Sequence, residues 1–440
     1  MEAYVLRCSR CGCSRPFETI GRCDCGGTLL VEYDIERIGA GLRREDLLSR
    51  AWTMWRYREL LPVRDPFKIV TLGEGGTPLL RLKSLERELG LGGLYSKREE
   101  LNPTGSFKAR GFSAAVTLLH ERGVRRVAVN SNGNAATALA AYAARCGMEA
   151  HVFVPRDCPG LILEECLLYG AHTYLVDGLI QDAGAIISEG VQEQGWFHVG
   201  TLKEPGRAEG KKTMGLEAAE QLGWVLPDVI VYPTGGGSGV IGLWRAFEQL
   251  KALGWVQGEL PRFVSVQEIG CEPVVHGMSS EAGAGMPEAE AEMPKRDRCA
   301  ADSPPDVGRA AALRPGEAAP GKPAVTSQPT GLRVPKPPDL QLLLDILRTT
   351  GGTAVAVSAA DIREAAGRLA RHGLSASPEG AAAWAGLVQL HEQGWLRPGE
   401  TVVIFNTSHA AKYWPWKVTK PVPGVRTYED FVRLRGRPGG

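Results

Sequence analysis

The sequence carries almost no excess charge: 51 lysines and arginines oppose 50 aspartates and glutamates, a net +1. Nucleic acids and anionic membranes draw a basic excess, so neither is expected as a partner. No run of 18 apolar residues occurs, which argues against a membrane-spanning helix. The opening MEAYVLRCSR lacks the basic and apolar regions of a secretory leader. Cysteine is sparse after residue 25: five of ten (Cys8, Cys11, Cys13, Cys23, Cys25) precede that point and the rest are scattered. A secreted disulfide scaffold is short and evenly cysteine-rich, so the expected compartment is the cytoplasm. What the chain has in plenty is glycine and proline, 55 and 29 of 440 residues, against an average of about 12% for the two together. That excess means disorder, tight turns or both. The length exceeds one hydrophobic core and points to two or three domains.

Along the chain, Cys8-x2-Cys11 and Cys23-x-Cys25 form two knuckles about a dozen residues apart. Thiolates so placed can close a tetrahedral, structural zinc site in a segment too small for its own core. A cysteine-bearing hairpin without metal is the alternative, and Cys13 could replace a neighbour. From about residue 67, β-branched runs alternate with amphipathic stretches. Strands are expected at 123–131, 148–155, 172–176, 228–233, 262–267 and 401–406, and helices after 134, 161, 182 and 240. Such alternation predicts an α/β fold with parallel sheets and active-site loops at the carboxyl ends of strands. Residues 278–330, rich in Ala, Pro, Gly and charge, cannot bury enough surface to order themselves and are expected to form a disordered insertion.

Four segments carry chemistry. NPTGSFKARG (102–111) sets Lys108 after a turn, where its amine could form a Schiff base with a carbonyl cofactor. PTGGGSG (233–239) joins a strand to a helix; Gly235, Gly236, Gly237, Ser238 and Gly239 can curl so that backbone N–H groups converge on a phosphate. It lacks the Gly-Lys-Ser/Thr of a P-loop and is not GxGxxG. SNGNAAT (131–137) offers hydroxyl, amide and helix N-terminal donors to a carboxylate or phenolate, though a plain helix cap looks the same. FNTSH (405–409) places Thr407 at a strand end, able to face a heterocyclic nitrogen or simply to cap.

Together these segments resemble the fold-type II pyridoxal-phosphate enzymes, the family of tryptophan synthase β, threonine dehydratase and threonine synthase, and within it most nearly the threonine synthase group. GEGGTPL (73–79), EGKKTMG (209–215), GLRVPKP (331–337), GGTAVAVS (351–358) and SPEGAA (377–382) extend the likeness. The resemblance implies two doubly wound open-sheet domains with the cofactor cleft between them: a large one from 67–112 and 206–440, a small substrate-side one from 113–205, and a cysteine-bearing ribbon at 1–35. Lys108 would hold pyridoxal phosphate and move protons. Gly235 to Gly239 would bind its phosphate, Asn134 its ring oxygen, and Thr407 its pyridine nitrogen. Ser131 and Thr137 would hold the substrate carboxylate; Thr104, Ser106 and Arg110, near Lys108 in sequence, are candidates for a substrate phosphate. Cys8, Cys11, Cys23 and Cys25 would hold one zinc. A small amino-acid substrate, a homodimer, and conversion of O-phosphohomoserine to threonine follow, with threonine or serine dehydration or β-replacement as the alternative. SFKAR, SNGN with Asn132, and NTSHAAKY depart from the family's SFKDR, SSGN and NTGSGLKY and bear on the choice of substrate.

Overall fold

The computed structural model describes residues 4–16, 21–131, 133–178, 180–279, 329–413 and 424–435. The chain begins as a three-stranded antiparallel ribbon in the order Ser14–Arg15, Tyr4–Cys8, Leu29–Tyr33. In YVLRC, Tyr4, Leu6 and Cys8 are buried while Val5 and Arg7 are exposed, the period-two pattern of a strand covered on one face. That face rests on Leu118 of the helix Lys108–Glu121.

A four-stranded parallel sheet runs His172–Val176, Glu149–Pro155, Arg126–Asn130, Phe197–His198. A six-stranded sheet runs Thr353–Val357, Arg262–Glu268, Val229–Pro233, Thr401–Asn406, Gly93–Arg98, Leu79–Arg81. Its neighbours are parallel except the last pair, an antiparallel edge. The central strands read as unbroken apolar runs because both faces are covered. Ile230, Tyr232, Phe263, Val403 and Phe405 pack under the helices Ser238–Ala252 and Leu340–Thr349. Val229, Val231, Val264, Val266, Val402 and Ile404 pack under Ala359–Arg371 and Pro378–Glu392. Each such side chain, fully buried, contributes about 1.5–3 kcal/mol.

Strand order creates the crevice. From Val229–Pro233 the chain steps outward to Arg262–Glu268 and Thr353–Val357, then returns to Thr401–Asn406 on the other side. Ligands of open α/β sheets bind beyond the carboxyl ends of strands at such a reversal. The glycine loop follows the first of these two strands and Thr407 the second.

The alternating pattern placed the strands at 126–130, 149–155, 172–176, 229–233, 262–268 and 401–406 within three residues of their ends. Gly93–Arg98 and Leu79–Arg81 lie outside the strands expected from the alternation, because LYSKR and LLR mix charge into short runs. Most of the expected insertion, residues 280–328, lies outside the described residues, as does Asn132. Its proposed edges shift: the helix Pro273–Ser279 includes 278 and 279, and Thr330 lines the cleft described next. Among the described residues no helix is long and apolar enough to cross a membrane.

Candidate active site

A cleft of about 700 Å³ opens at the strand reversal, between the two sheets. Lys108, the first residue of its helix, lines it together with Thr407 and Ser408. Backbone pairing fixes that juxtaposition: Phe107 N–H donates to Thr407 O (3.0 Å), His409 N–H to Gly105 O (3.0 Å), and Ser106 bridges Ser408. Gly105, at φ +64°, makes the tight turn that allows the pairing. The Lys108 ammonium stands 3.9 Å from the Phe107 ring centroid. Burial, aided by the Arg207 charge and opposed by Glu379, pulls its pKa down to about 7.

The opposite wall is the loop from Gly235 to Gly239, running into the helix Ser238–Ala252. The first N–H groups of that helix have no intrahelical acceptor, which suits an anion. The glycines, however, answer to the protein as much as to a ligand. A Cβ on Gly235 would lie 2.1 Å from Gly331 O, one on Gly237 2.4 Å from Leu343, and one on Gly239 2.2 Å from the Tyr232 hydroxyl. Only Gly236, whose Cβ would come no closer than 3.0 Å to Thr201, is left without so severe a clash. The number of glycines is therefore weak evidence for a phosphate.

Charge is stronger evidence. Lys211 donates to Ser238 Oγ (2.6 Å) and is fully buried; burial, then repulsion from Arg207 and Lys108, pushes its pKa well below that of an ordinary lysine. Arg207, also buried, donates to Val199 O (3.1 Å), while its Nε has no partner among the described residues. Their nearest counter-charges are weakened. Burial raises Glu204 to about 7 despite Arg207, and burial also raises Glu379. Burial thus disfavours charge of both signs here, in the amines of Lys108 and Lys211 as in the two carboxylates, while Arg207 keeps its charge; an incoming anion would favour the protonated amines.

The remaining predicted residues divide. Ser131 and Asn134 line the cleft. Asn134 Nδ2 donates to the Tyr413 hydroxyl (2.7 Å), leaving Oδ1 buried without a partner among the described residues. Thr137 is fully buried in its helix, and its hydroxyl turns back to Asn134 O (3.3 Å). Thr104 and Ser106 are buried and do not line the cleft. Arg110 lies elsewhere altogether. Its guanidinium bonds Glu99 (2.7 and 2.8 Å), Glu217 (2.6 and 2.8 Å), Thr77 and Thr213 (3.0 Å each) within a closed buried network. No donor is left over for a substrate. The sequence reading missed Arg207, Lys211, Glu379, Tyr413 and the chain Lys203–His198–Asn130, in which Lys203 Nζ donates to His198 Nδ1 (2.9 Å) and His198 Nε2 meets Asn130 Oδ1 (2.9 Å). The departures are accommodated locally: Ala109 is fully buried, and His409 accepts from Ala411 N–H (3.1 Å) to cap a short turn.

Residues 70–408 match the family described as pyridoxal-phosphate dependent enzyme. The chain belongs to this family. Threonine synthase of Methanocaldococcus jannaschii is 34% identical over 433 residues, 98% of this chain and 96% of the relative. Threonine synthase of Methanosarcina acetivorans is 34% identical, covering 93% and 92%, and that of Mycobacterium tuberculosis (strain ATCC 25618 / H37Rv) 31%, covering 84% and 90%. Among solved structures, maize serine racemase (20% identity, TM-score 0.58, 76% of this chain and 89% of that one) and Escherichia coli diaminopropionate ammonia lyase (18%, TM-score 0.59, 78% and 86%) share the fold. The residues of this pyridoxal-phosphate enzyme fit its cofactor. A buried amine of low pKa, an N–H-rich helix start and the buried Arg207 guanidinium suit an aldehyde that carries a phosphate.

In the N-terminal ribbon, Cys8, Cys11, Cys23 and Cys25 converge with all four sulfurs within 4.8 Å of one another. Cys8 and Cys25 are 3.4 Å apart, Cys11 and Cys23 3.6 Å. A tetrahedral zinc with bonds of about 2.3 Å would separate its sulfurs by about 3.8 Å. Cys13 is not part of the cluster.

Proposed function

We propose that this enzyme is a threonine synthase, converting O-phospho-L-homoserine and water to L-threonine and phosphate. The observation that carries the reading is the presence of basic side chains at two places about the cleft: Lys211, which bonds Ser238 behind the glycine loop, and Arg207 with the partly buried Lys203, both of which line it. A dehydratase acting on a free hydroxyl has one phosphate to neutralise, that of the cofactor. An enzyme whose substrate is itself a phosphate ester has two. The end-to-end similarity to proteins named threonine synthase supports the same choice.

Pyridoxal phosphate supplies an electron sink for the carbanion at the substrate's Cα. The protein's part is proton traffic and anion binding. Lys108, neutral above about pH 7, removes a proton from Cα and then one from Cβ. Arg207 and Lys203 hold the phosphate as its bond to Cγ breaks. Cγ takes up a proton, water adds at Cβ, and Lys108 returns a proton to Cα. Asn134 and the glycine loop orient the cofactor; Ser131 and the start of the helix Asn134–Cys146 receive the carboxylate. Thr407, a hydroxyl and not a carboxylate, cannot hold the ring nitrogen protonated, which restrains the sink and suits elimination and replacement.

The deciding assay compares phosphate release and threonine formation from O-phosphohomoserine with 2-oxobutanoate formation from threonine or serine. Turnover of the second kind without the first would overturn the reading in favour of a dehydratase. A further expectation concerns loading. Because the amine of Lys108 has a pKa near 7, the rate at which the cofactor-free protein takes up pyridoxal phosphate should rise with pH through about 7 and level off above it. A rising limb near pH 10, the range of an ordinary lysine, would contradict the placement of Lys108.

The four cysteines are read as one structural zinc site, on the sulfur spacing given above. Thiolates kept reduced suit the cytoplasm, and the family resemblance supports a homodimer. Metal analysis of the purified chain and its mass in solution test these readings.

A further inference from the structure

The cysteine knuckle is not an isolated appendage. Ser9, next to Cys8, donates through Oγ to Asp339 Oδ2 (2.7 Å), and Thr28 N–H donates to the same oxygen (3.3 Å). Both Thr28 and Asp339 are buried. Asp339 uses its other oxygen to accept from Leu342 N–H (3.4 Å), capping the helix Leu340–Thr349. One turn in, Leu343 fills the space over Gly237 in the glycine loop. Arg22, next to Cys23, donates to Pro338 O (2.5 Å), and Pro338 lines the cleft. The Arg22 charge also adds to burial in lowering the pKa of Lys203 on the cleft wall. From the last ribbon strand, Val31 O accepts from Arg245 (2.6 Å) on the helix that begins at Ser238.

Two of the residues that grip the catalytic domain, Ser9 and Arg22, are thus immediate neighbours of metal ligands. Ser9 continues the pairing of Tyr4–Cys8 with Leu29–Tyr33, its N–H donating to Thr28 O (2.9 Å), whereas Arg22 lies outside every strand of the ribbon, beside the turn that carries Cys23 and Cys25. A bound metal would hold the two knuckles together and keep Ser9 and Arg22 in reach of Asp339 and Pro338. We propose that metal occupancy of Cys8, Cys11, Cys23 and Cys25 sets the affinity of the cleft for its phosphate-bearing cofactor, by clamping Asp339 and Pro338 behind the glycine loop. The proposal rests on the zinc reading and is independent of which substrate the enzyme turns over.

The test titrates pyridoxal 5′-phosphate alone into three full-length proteins of measured zinc content, following absorbance and intrinsic fluorescence. These are the zinc-loaded wild type, the same protein stripped by a chelator, and a zinc-loaded Ser9→Ala/Arg22→Ala double variant. Stripping should raise the cofactor Kd about tenfold, within the usual range of coupling between sites, and stoichiometric zinc should restore it. The double variant should keep its zinc yet show a raised Kd. Because that variant retains the metal, it remains decisive even where stripping unfolds the ribbon. An unchanged Kd in the stripped protein, or a wild-type Kd in the double variant, overturns the coupling. Failure to bind zinc at all overturns the zinc reading and the coupling with it. Zinc-dependent cofactor affinity without threonine formation supports the coupling while removing the threonine synthase reading.

Discussion

Replacing Lys108 by alanine is expected to slow threonine formation from O-phosphohomoserine by about 10³-fold or more, the scale on which a positioned acid–base group acts, and to abolish the visible absorption band of the cofactor-loaded protein. The neighbouring amine should not rescue it. Lys211 is tied to Ser238 Oγ at 2.6 Å and, unlike Lys108, does not line the cleft, so its amine is not placed to take over the proton transfers. Stability should move the other way. The Lys108 ammonium forms no hydrogen bond or ion pair among the described residues and sits in repulsion with Arg207. Below about pH 7, where that amine is protonated, its removal relieves a buried charge without a counter-ion, and the cofactor-free variant should there melt at or above the wild-type temperature. Retention of turnover or of the absorption band would refute the role given to Lys108. A large loss of stability would show that its part is structural.

How far the site was legible in the sequence depends on what each residue answers to. Lys108, Asn134, the glycine loop and Thr407 follow strands or turns recognisable from local pattern, and the fold brings all of them to one cleft. Arg110 was misjudged because nearness in sequence is not nearness in space. Two residues along a helix turn the side chain by about 200°, so a helix that presents Lys108 to the cleft must aim Arg110 into the core. Arg207 and Lys211 were not singled out, although Lys211 falls within the EGKKTMG stretch; four residues apart on the buried helix Gly206–Gln221, Arg207 lines the cleft and Lys211 bonds Ser238. The glycines answer to more than a ligand: three of the four are demanded by Gly331, Leu343 and Tyr232.

Arg110→Ala should be among the most damaging single substitutions away from the cleft, costing about 3–5 kcal/mol, because it strips one partner from a buried ion network. Arg110 and Lys97 balance Glu99 and Glu217, all four fully buried, with Lys97 Nζ bonding Glu217 (2.8 Å), Thr77 O (2.7 Å) and Gln221 (2.9 Å). Without Arg110, two carboxylates would share one lysine. The same network makes wild-type stability depend on acid. Burial pushes the Glu217 carboxyl up, but Arg110 and Lys97 more than offset it and hold its pKa at about 2. A carboxylate whose folded pKa lies below its unfolded value of about 4.3 contributes stability that is complete above that value. The contribution fades as pH falls through the folded pKa. Denaturant titrations of the wild type should therefore lose stability between about pH 4 and pH 2, and Arg110→Ala should show a shallower loss across that window on top of its lower plateau. Were Arg110 instead a substrate-phosphate ligand, the variant would melt normally and show only a raised KM for O-phosphohomoserine. A wild-type melting temperature with that kinetic change would restore Arg110 to the active site and remove it from the core.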